Sequence, residues 1–197
     1  KTGDNPLSEI VKSFHKTKYS KPGNVYLGIP HRLDRPTSGV VIFAKTSKCL
    51  SRLNKLFKDG KVQKYYWAIT KNKPEKPEDT LIHWLRKNEK TNKSTHFKKE
   101  TTKAKKAVLH YKVLKKLERY FVIEIELETG RHHQIRCQLK AIGCPIKGDL
   151  KYGYDRSNED GGIDLHAKKI IFEHPVNGKK IIIDAPVRDT KIWNAAK

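Results

Sequence analysis

A chain of 197 residues is long enough for one domain with an ordinary hydrophobic core, and its formal net charge of +22 favours binding to nucleic acid or another polyanion. The three cysteines form no C-x-x-C pair and the histidines show no zinc-ligand spacing, which argues against a disulfide framework and a metal site and predicts a reducing, cytoplasmic compartment. No apolar run approaches ~18–20 residues and no signal peptide is visible, so a membrane partner is not expected.

The N-terminal segment, residues 1–30, is typical of a helix followed by a loop. Asn5 is the candidate N-cap, and Pro6 suits the first helical turn. Four apolar residues at helical spacing then form one face: Leu7, Ile10, Val11 and Phe14.

Two strands and a helix follow in the next part of the chain. The apolar run 40–45 predicts a buried strand. Either Thr46 or Ser47 can cap a helix over residues 48–58, in which leucines recur at the helical period. Residues 61–70 are rich in aromatic and β-branched residues and predict a second strand.

A polar and basic stretch occupies the middle of the chain. Residues 71–80 predict a loop, and residues 81–103, in which lysines alternate with aromatic rings, predict a hairpin that reaches out of the core. Hydrophobic alternation predicts strands over 104–117 and 120–128, and residues 133–142 predict a helix that ends at a glycine.

The C-terminal part contains a strong hairpin signal. Strands are predicted over 168–174 and 179–184, and the sequence P-V-N-G joins them. The whole pattern predicts an α+β fold, with a mixed, mainly antiparallel central β-sheet flanked by helices and loops, in a single domain over residues 1–197.

The first candidate functional segment is H-R-L-D-R-P-T-S-G, residues 31–39. Asp34 lies between Arg32 and Arg35, and nearby positive charge favours the ionised form of a carboxyl group. An ionised carboxylate can act as a nucleophile. Asp34 is therefore the candidate reactive group of this segment, either as a nucleophile or as a group that binds a developing cation.

The second segment is T-G-R-H-H-Q-I-R, residues 129–136, where a predicted strand meets a helix. Free N–H groups at a helix start, together with Arg131 and Arg136, favour an anion site. The two arginines are five residues apart, so they are not expected to point the same way. An ordinary helix N-terminus with surface arginines explains this segment equally well.

The third segment is K-Y-Y-W-A, residues 64–68, within a predicted strand. Alternation places Lys64, Tyr66 and Ala68 on one face of the strand, where the tyrosine ring could stack on a base. From the strand alone, a tyrosine of the hydrophobic core is the simpler interpretation.

Taken together, these segments resemble the RluA family of RNA pseudouridine synthases. The matching motifs are H-R-L-D-x-x-T-S-G with its following strand, K-x-Y-x-A, and L-x-T-G-R-x-H-Q-I-R followed by G-D-x-x-Y-G; their order and spacing also agree with the family. His166-Ala167 is similar to the L-H-A that precedes a late strand in this family. The resemblance implies an isomerase that converts uridines of ribosomal or transfer RNA to pseudouridine.

The resemblance also implies catalytic roles. Asp34 matches the aspartate that attacks the target nucleotide, and Arg136 matches the arginine that keeps this carboxylate charged. Tyr66 matches the tyrosine that stacks on the target uracil and assists removal of the C5 proton. Attack on C1′, addition to C6 and a glycal route remain open for Asp34.

Substrate-binding roles follow from the same resemblance. Arg32 matches the arginine that fills the stack vacated by the flipped base or grips its phosphate. Three further residues are expected to shape the pocket: His31, Arg131 and Ile135. Because the isomerisation oxidises nothing and transfers no external group, no cofactor or metal is expected.

The sequence departs from the family pattern at its N-terminus. The family strands that carry an N-K-P-x-G segment are absent before residue 31, and no S4-type RNA-binding domain is present in these 197 residues. Family analogy suggests a monomer.

Two other functions compete with this interpretation. A non-catalytic RNA-binding or RNA-chaperone protein would use the same basic surface, above all residues 86–106. A glycoside or nucleoside hydrolase would need a second carboxylate beside Asp34, and the other two segments supply none as an evident partner.

Overall fold

A computed structural model describes residues 3–197, so the first two residues of the predicted N-terminal segment lie outside the description. The helices, in chain order, are α1 Leu7–Lys18, α2 Ser47–Lys58, α3 Gln134–Ala141 and α4 Lys191–Ala196, with a 3₁₀ turn at Leu150–Tyr152. The strands are β1 Ser38–Gly39, β2 Gln63–Thr70, β3 Glu78–Asn88, β4 Lys93–Phe97, β5 Lys105–Lys116, β6 Phe121–Leu127, β7 Leu165–Glu173 and β8 Lys180–Asp184.

All eight strands belong to one sheet. Its order is β1-β7-β2-β6-β5-β3-β4, and β8 pairs with β7 on the side that also carries β1. The β1–β7 pair is parallel and the other pairs are antiparallel. The predicted α+β class with a mainly antiparallel sheet is therefore confirmed.

Helices cover parts of both faces of the sheet. Ala68 and Ile123 point to one face, where they pack in the main core with Leu139 of α3. Their neighbours Ile69 and Val122 point to the other face, where Trp193 of α4 covers them. Val187 and Ala196 complete the buried part of this second cluster. This division follows from the alternation of side chains along a strand.

Helix α2 begins at Ser47, one residue before the predicted start, and Thr46 is the one of the two predicted caps that it uses. The Thr46 side chain accepts a hydrogen bond from the backbone N–H of Cys49, which is a standard N-cap. Asn5, in contrast, does not cap α1: the N-cap position is Pro6, and no side-chain hydrogen bond closes that end. No residue of α1 is buried, so its apolar face lies at the surface.

The prediction of a buried strand over residues 40–45 is wrong. Only Ser38–Gly39 pair as a strand, and Ala44 forms an isolated bridge with Gly28. The Ile42 N–H donates to the His31 ring instead of a neighbouring strand. The apolar side chains of this run still pack against α2, which accounts for the hydrophobic pattern without a ladder of backbone hydrogen bonds.

The hairpin predicted over residues 81–103 exists as β3 and β4, but it does not reach out of the core. Strand β3 starts at Glu78, within the predicted loop 71–80, and it pairs with β5 over eight residues. Leu81 and Leu85 are buried. The apolar residues among the lysines therefore tie the hairpin into the central sheet.

The remaining predicted elements are confirmed, with their ends shifted by one to three residues. The largest shift is in β7, which begins at Leu165 and not at residue 168. No helix within residues 3–197 combines the length and apolarity needed to cross a lipid bilayer.

Gly39 is the position at which a side chain is least tolerable. Its φ is +114°, and a Cβ built there would lie 2.3 Å from the carbonyl oxygen of Ala167. We expect Gly39→Ala to cost about 1–3 kcal/mol through backbone strain alone, with the clash against β7 adding to it. The measurement is the free energy of unfolding in urea.

Gly60→Ala is the matched control for this prediction. Gly60 also has a positive φ, +69°, but its Cβ would meet nothing within 4 Å. The free energy of unfolding of Gly60→Ala should fall only by the cost of placing alanine in the left-handed conformation, about 1–2 kcal/mol. Equal unfolding free energies for the two variants would contradict the proposed clash.

Candidate active site

A cleft of about 810 Å³ opens beside the sheet, and three of the segments that line it carry the candidate residues. These segments are the loop before β1, the middle of β2, and the stretch from the end of β6 into α3. All seven residues singled out in the sequence line this cleft: His31, Arg32, Asp34, Tyr66, Arg131, Ile135 and Arg136. Its volume is within the range usual for small-ligand sites.

Asp34 lies in a turn at the cleft, where the N–H of Thr37 donates to its carbonyl oxygen. Its carboxylate is 28% exposed. One oxygen, Oδ2, lies 3.4 Å from Nη1 of Arg136 and 3.8 Å from Nε2 of His133. A partly exposed carboxylate beside a fixed guanidinium can act as a nucleophile or as a base.

The arginines that flank Asp34 in the sequence are not its partners in the structure. Arg35 turns away and pairs with Asp4, at 2.8 Å between Nε and Oδ2. Arg32 is exposed at the cleft. The guanidinium beside Asp34 comes from Arg136, 102 residues further along the chain.

Arg136 is held in place by Asp149 and Tyr152. Its Nε and Nη2 donate to the two carboxylate oxygens of Asp149 at 2.7 and 2.8 Å, and its guanidinium lies 5.0 Å from the centre of the Tyr152 ring. Burial opposes its charge, but the hydrogen bonds and charge of Asp149, together with the charge of Asp34, outweigh burial and raise the pKa of Arg136. Bidentate pairing fixes the guanidinium plane, so its Nη1 is aimed at Asp34.

Tyr66 lies on the cleft face of β2 with Lys64, whereas Trp67 faces the other way and bonds to Glu124. Burial, followed by the negative charge of Asp34, raises the pKa of Tyr66 to about 12. The phenol is therefore protonated at neutral pH, and its ring forms a wall of the cleft close to the carboxylate.

His31 braces the loop that carries Asp34. Its Nε2 accepts the N–H of Ile42 at 2.9 Å, and its ring stacks on Phe57 at 4.8 Å between centroids. Burial, and then the charge of Lys64, lower the pKa of His31 to about 4. The imidazole is thus neutral at pH 7, which the bond from the Ile42 N–H requires.

Arg131 and Arg136 point in different directions, as their spacing predicted. Arg131 is exposed and its Nε donates to the carbonyl of Lys106. Buried Gln134 accepts from both the Arg131 N–H and the Thr129 hydroxyl, and it donates to the carbonyl of Val108. This amide fixes the turn between β6 and α3.

Sequence reasoning missed three residues around the site. Gln134, His133 and Ser38 belong to the matched motifs, but no role was predicted for them. The Ser38 hydroxyl lies 2.9 Å from Nδ1 of buried His166, which joins the end of the Asp34 loop to β7. The signal available for this bond was that both partners lie in matched motifs, Ser38 in T-S-G and His166 in L-H-A.

The sequence of this chain is similar to those of a known protein family. A sequence model of the RNA pseudouridylate synthase family matches residues 4–141. The tRNA pseudouridine synthase C of Vibrio parahaemolyticus is 32% identical over 178 residues, which cover 81% of this chain and 72% of that protein. The ribosomal large subunit pseudouridine synthase C of Rickettsia bellii is 35% identical over 165 residues, which cover 82% and 54%.

A solved structure shares the fold. Human RNA pseudouridylate synthase domain containing 4 superposes with a TM-score of 0.78 at 22% identity, over 98% of this chain and 83% of that one. The chain spans about half the length of several curated relatives that it matches. From the match over residues 4–141 and the similarity to these relatives, we conclude that the chain belongs to the RNA pseudouridylate synthase family.

Proposed function

We propose that this chain is the catalytic part of an RNA pseudouridine synthase that isomerises uridines of ribosomal or transfer RNA, with Asp34 as the nucleophile. The observation that carries the proposal is the Asp34 carboxylate, partly exposed in a cleft and 3.4 Å from the buried guanidinium of Arg136. The names of the relatives from Vibrio and Rickettsia support RNA as the substrate class.

The reaction exchanges one glycosidic bond for another. The N1–C1′ bond breaks, the uracil turns, and a C5–C1′ bond forms while C5 loses a proton and N1 gains one. Attack of the carboxylate on C1′, its addition to C6 and removal of the C2′ proton all need an ionised carboxylate. Arg136 supports each of these routes because its guanidinium lies 3.4 Å from the carboxylate and pairs with it.

The target base must leave the helical stack before it can reach Asp34. Such flipping costs roughly a few kcal/mol. The protein can offset this cost by stacking the base on the Tyr66 ring and by attracting the RNA backbone with its formal charge of +22. Arg32 is exposed at the cleft, and we expect it to fill the vacated stack or to bind a phosphate.

The direct test is tritium release from RNA that carries [5-³H]uridine. Pseudouridine formation expels the C5 hydrogen, so the purified protein should release tritium from ribosomal or transfer RNA transcripts. Chemical mapping of the product should locate pseudouridine at defined positions. Binding of both RNAs without any tritium release would favour the non-catalytic alternative.

Tyr66 provides a second prediction. Tyr66→Phe keeps the ring, so RNA binding should stay within about twofold, but it loses the hydroxyl expected to assist removal of the C5 proton, so tritium release should slow about 10²-fold. Tyr66→Ala also loses the stacking platform, worth about 1–3 kcal/mol of binding. Fluorescence anisotropy measures RNA binding and tritium release measures turnover, so the two effects can be separated. If Tyr66→Phe turned over like the wild type, the role of Tyr66 would be limited to stacking.

A further inference from the structure

His133 lies directly behind Asp34 and has no part in the function proposed so far. Its side chain is 8% exposed, and its Nε2 lies 3.8 Å from Oδ2 of Asp34. Arg136 approaches the same oxygen, so the two groups converge on Oδ2 and leave Oδ1 for the substrate.

The backbone of His133 is in an unusual conformation. It has φ 51° and ψ 31°, the left-handed region, immediately before the first residue of α3. Residues other than glycine adopt this conformation at a cost, and such residues cluster at functional sites. Here the left-handed turn places the imidazole between Asp34 and Tyr152, with the His132 ring stacked on it at 3.8 Å.

A chain of hydrogen bonds favours one tautomer of His133 over the other. The N–H of Ser94 donates to the Tyr152 hydroxyl at 2.8 Å, and that hydroxyl lies 3.0 Å from Nδ1 of His133. Because that oxygen already accepts the Ser94 N–H, its own proton is available for a bond to Nδ1. In a neutral imidazole the remaining proton is then on Nε2, the atom that faces Asp34.

The charges around His133 agree with a neutral ring. Burial, and then four cationic or titratable neighbours, lower the pKa of His133 to about 3; these neighbours are Arg136, His132, Lys151 and Lys87. Burial also raises the pKa of Tyr152 to about 12, so the phenol keeps its proton. Asp34 is the anionic group that faces the ring.

We propose that His133 is a positioning residue for the reaction: its Nε2–H, fixed by Tyr152 and Ser94, donates to Oδ2 of Asp34 and holds Oδ1 toward the substrate. The 3.8 Å gap is longer than a hydrogen bond, and we expect it to close when RNA is bound, as such contacts often tighten in enzyme–substrate complexes. The inference rests on the proposed function for its role in turnover.

The tautomer is tested without any substrate. Long-range ¹H–¹⁵N correlation spectra of the full chain labelled with ¹⁵N-histidine should show His133 neutral between pH 5 and 8, with the proton on Nε2. Tyr152→Phe removes the proton donor to Nδ1 and should produce a mixture of tautomers. A proton on Nδ1 in the wild type, or an imidazolium at pH 6, would overturn the proposal.

The effect on turnover is tested with His133→Asn and His133→Gln. Asparagine tolerates the left-handed backbone and places polar atoms near the Nδ1 position, but it has no donor near Asp34. We expect this variant to melt within a few degrees of the wild type, to keep KM within about twofold, and to lose about 10- to 100-fold in kcat. Glutamine reaches the Nε2 position, so kcat should recover relative to asparagine.

Two outcomes separate the proposals. Unchanged kcat in a folded His133→Asn variant would overturn the positioning role while leaving the proposed function intact. A wild-type protein that forms no pseudouridine would contradict the proposed function, whereas the tautomer spectra would still decide whether Nε2–H faces Asp34.

Discussion

Replacing Asp34 with alanine is expected to lower the rate of pseudouridine formation by at least about 10³-fold, the largest effect of any substitution in the cleft. All three routes open to this enzyme family need the carboxylate, so no neighbouring group can substitute for it. The other groups near it are cationic or neutral at pH 7: Arg136, His133 and Tyr66. The measurement is tritium release under single-turnover conditions.

RNA binding should be retained in this variant. Asp34 is negatively charged, so its removal takes away no attraction for phosphate, and Arg136 keeps its bidentate bonds to Asp149. Asp34→Asn preserves the shape of the side chain and should be equally inactive. Asp155→Ala, an exposed aspartate outside the cleft, is the matched control and should turn over like the wild type.

This comparison separates the enzyme from the RNA-binding alternative. An RNA-binding or chaperone protein would show the same RNA affinity and the same cellular phenotype with and without the Asp34 carboxylate. Substantial tritium release by a folded Asp34→Ala variant would contradict the catalytic assignment of this residue.

Replacing Asp149 with alanine is expected to lower the free energy of unfolding by about 3–5 kcal/mol, the cost of leaving one partner of a buried ion pair alone. Asp149 is 1% exposed and Arg136 is 5% exposed, and two hydrogen bonds join them. The guanidinium would keep only the weaker contact with Asp34, at 3.4 Å. Urea unfolding followed by tryptophan fluorescence measures the loss.

The same substitution should impair catalysis in the fraction that remains folded. Asp149 fixes the plane of the Arg136 guanidinium, and that plane aims Nη1 at Asp34. Glu9→Gln, which breaks the exposed pair with Lys12, is the control and should change stability by less than about 1 kcal/mol. An Asp149→Ala variant as stable as this control would show that the buried pair does not support the site.

Sequence patterns correctly predicted the features that depend only on residues close together in the chain. The alternation in β2 correctly separated Tyr66 from Trp67, because successive side chains of a strand point to opposite faces. The Thr46 cap of α2 was also predicted, because an N-cap needs only a side-chain oxygen and the N–H groups that follow it. Hydrophobicity alone failed at residues 40–45, because burial against α2 produces the same apolar run as a strand.

The surroundings of Asp34 show the limit of local reasoning. The sequence places Arg35 next to the aspartate, yet the structure turns it to Asp4 and brings in Arg136 instead. Adjacent residues share a backbone but not a side-chain direction, so a charge nearby in sequence need not be a charge nearby in space.

By itself, the sequence determined the fold class, the family resemblance and the identity of seven of the residues that line the cleft. Only the tertiary structure decided how they work together: which guanidinium meets Asp34, which carboxylate holds that guanidinium, and which nitrogen of His133 faces the site. The physical reason is that hydrogen bonds and ion pairs depend on distances of a few ångströms, and strand pairing and helix packing set those distances between residues far apart in the chain.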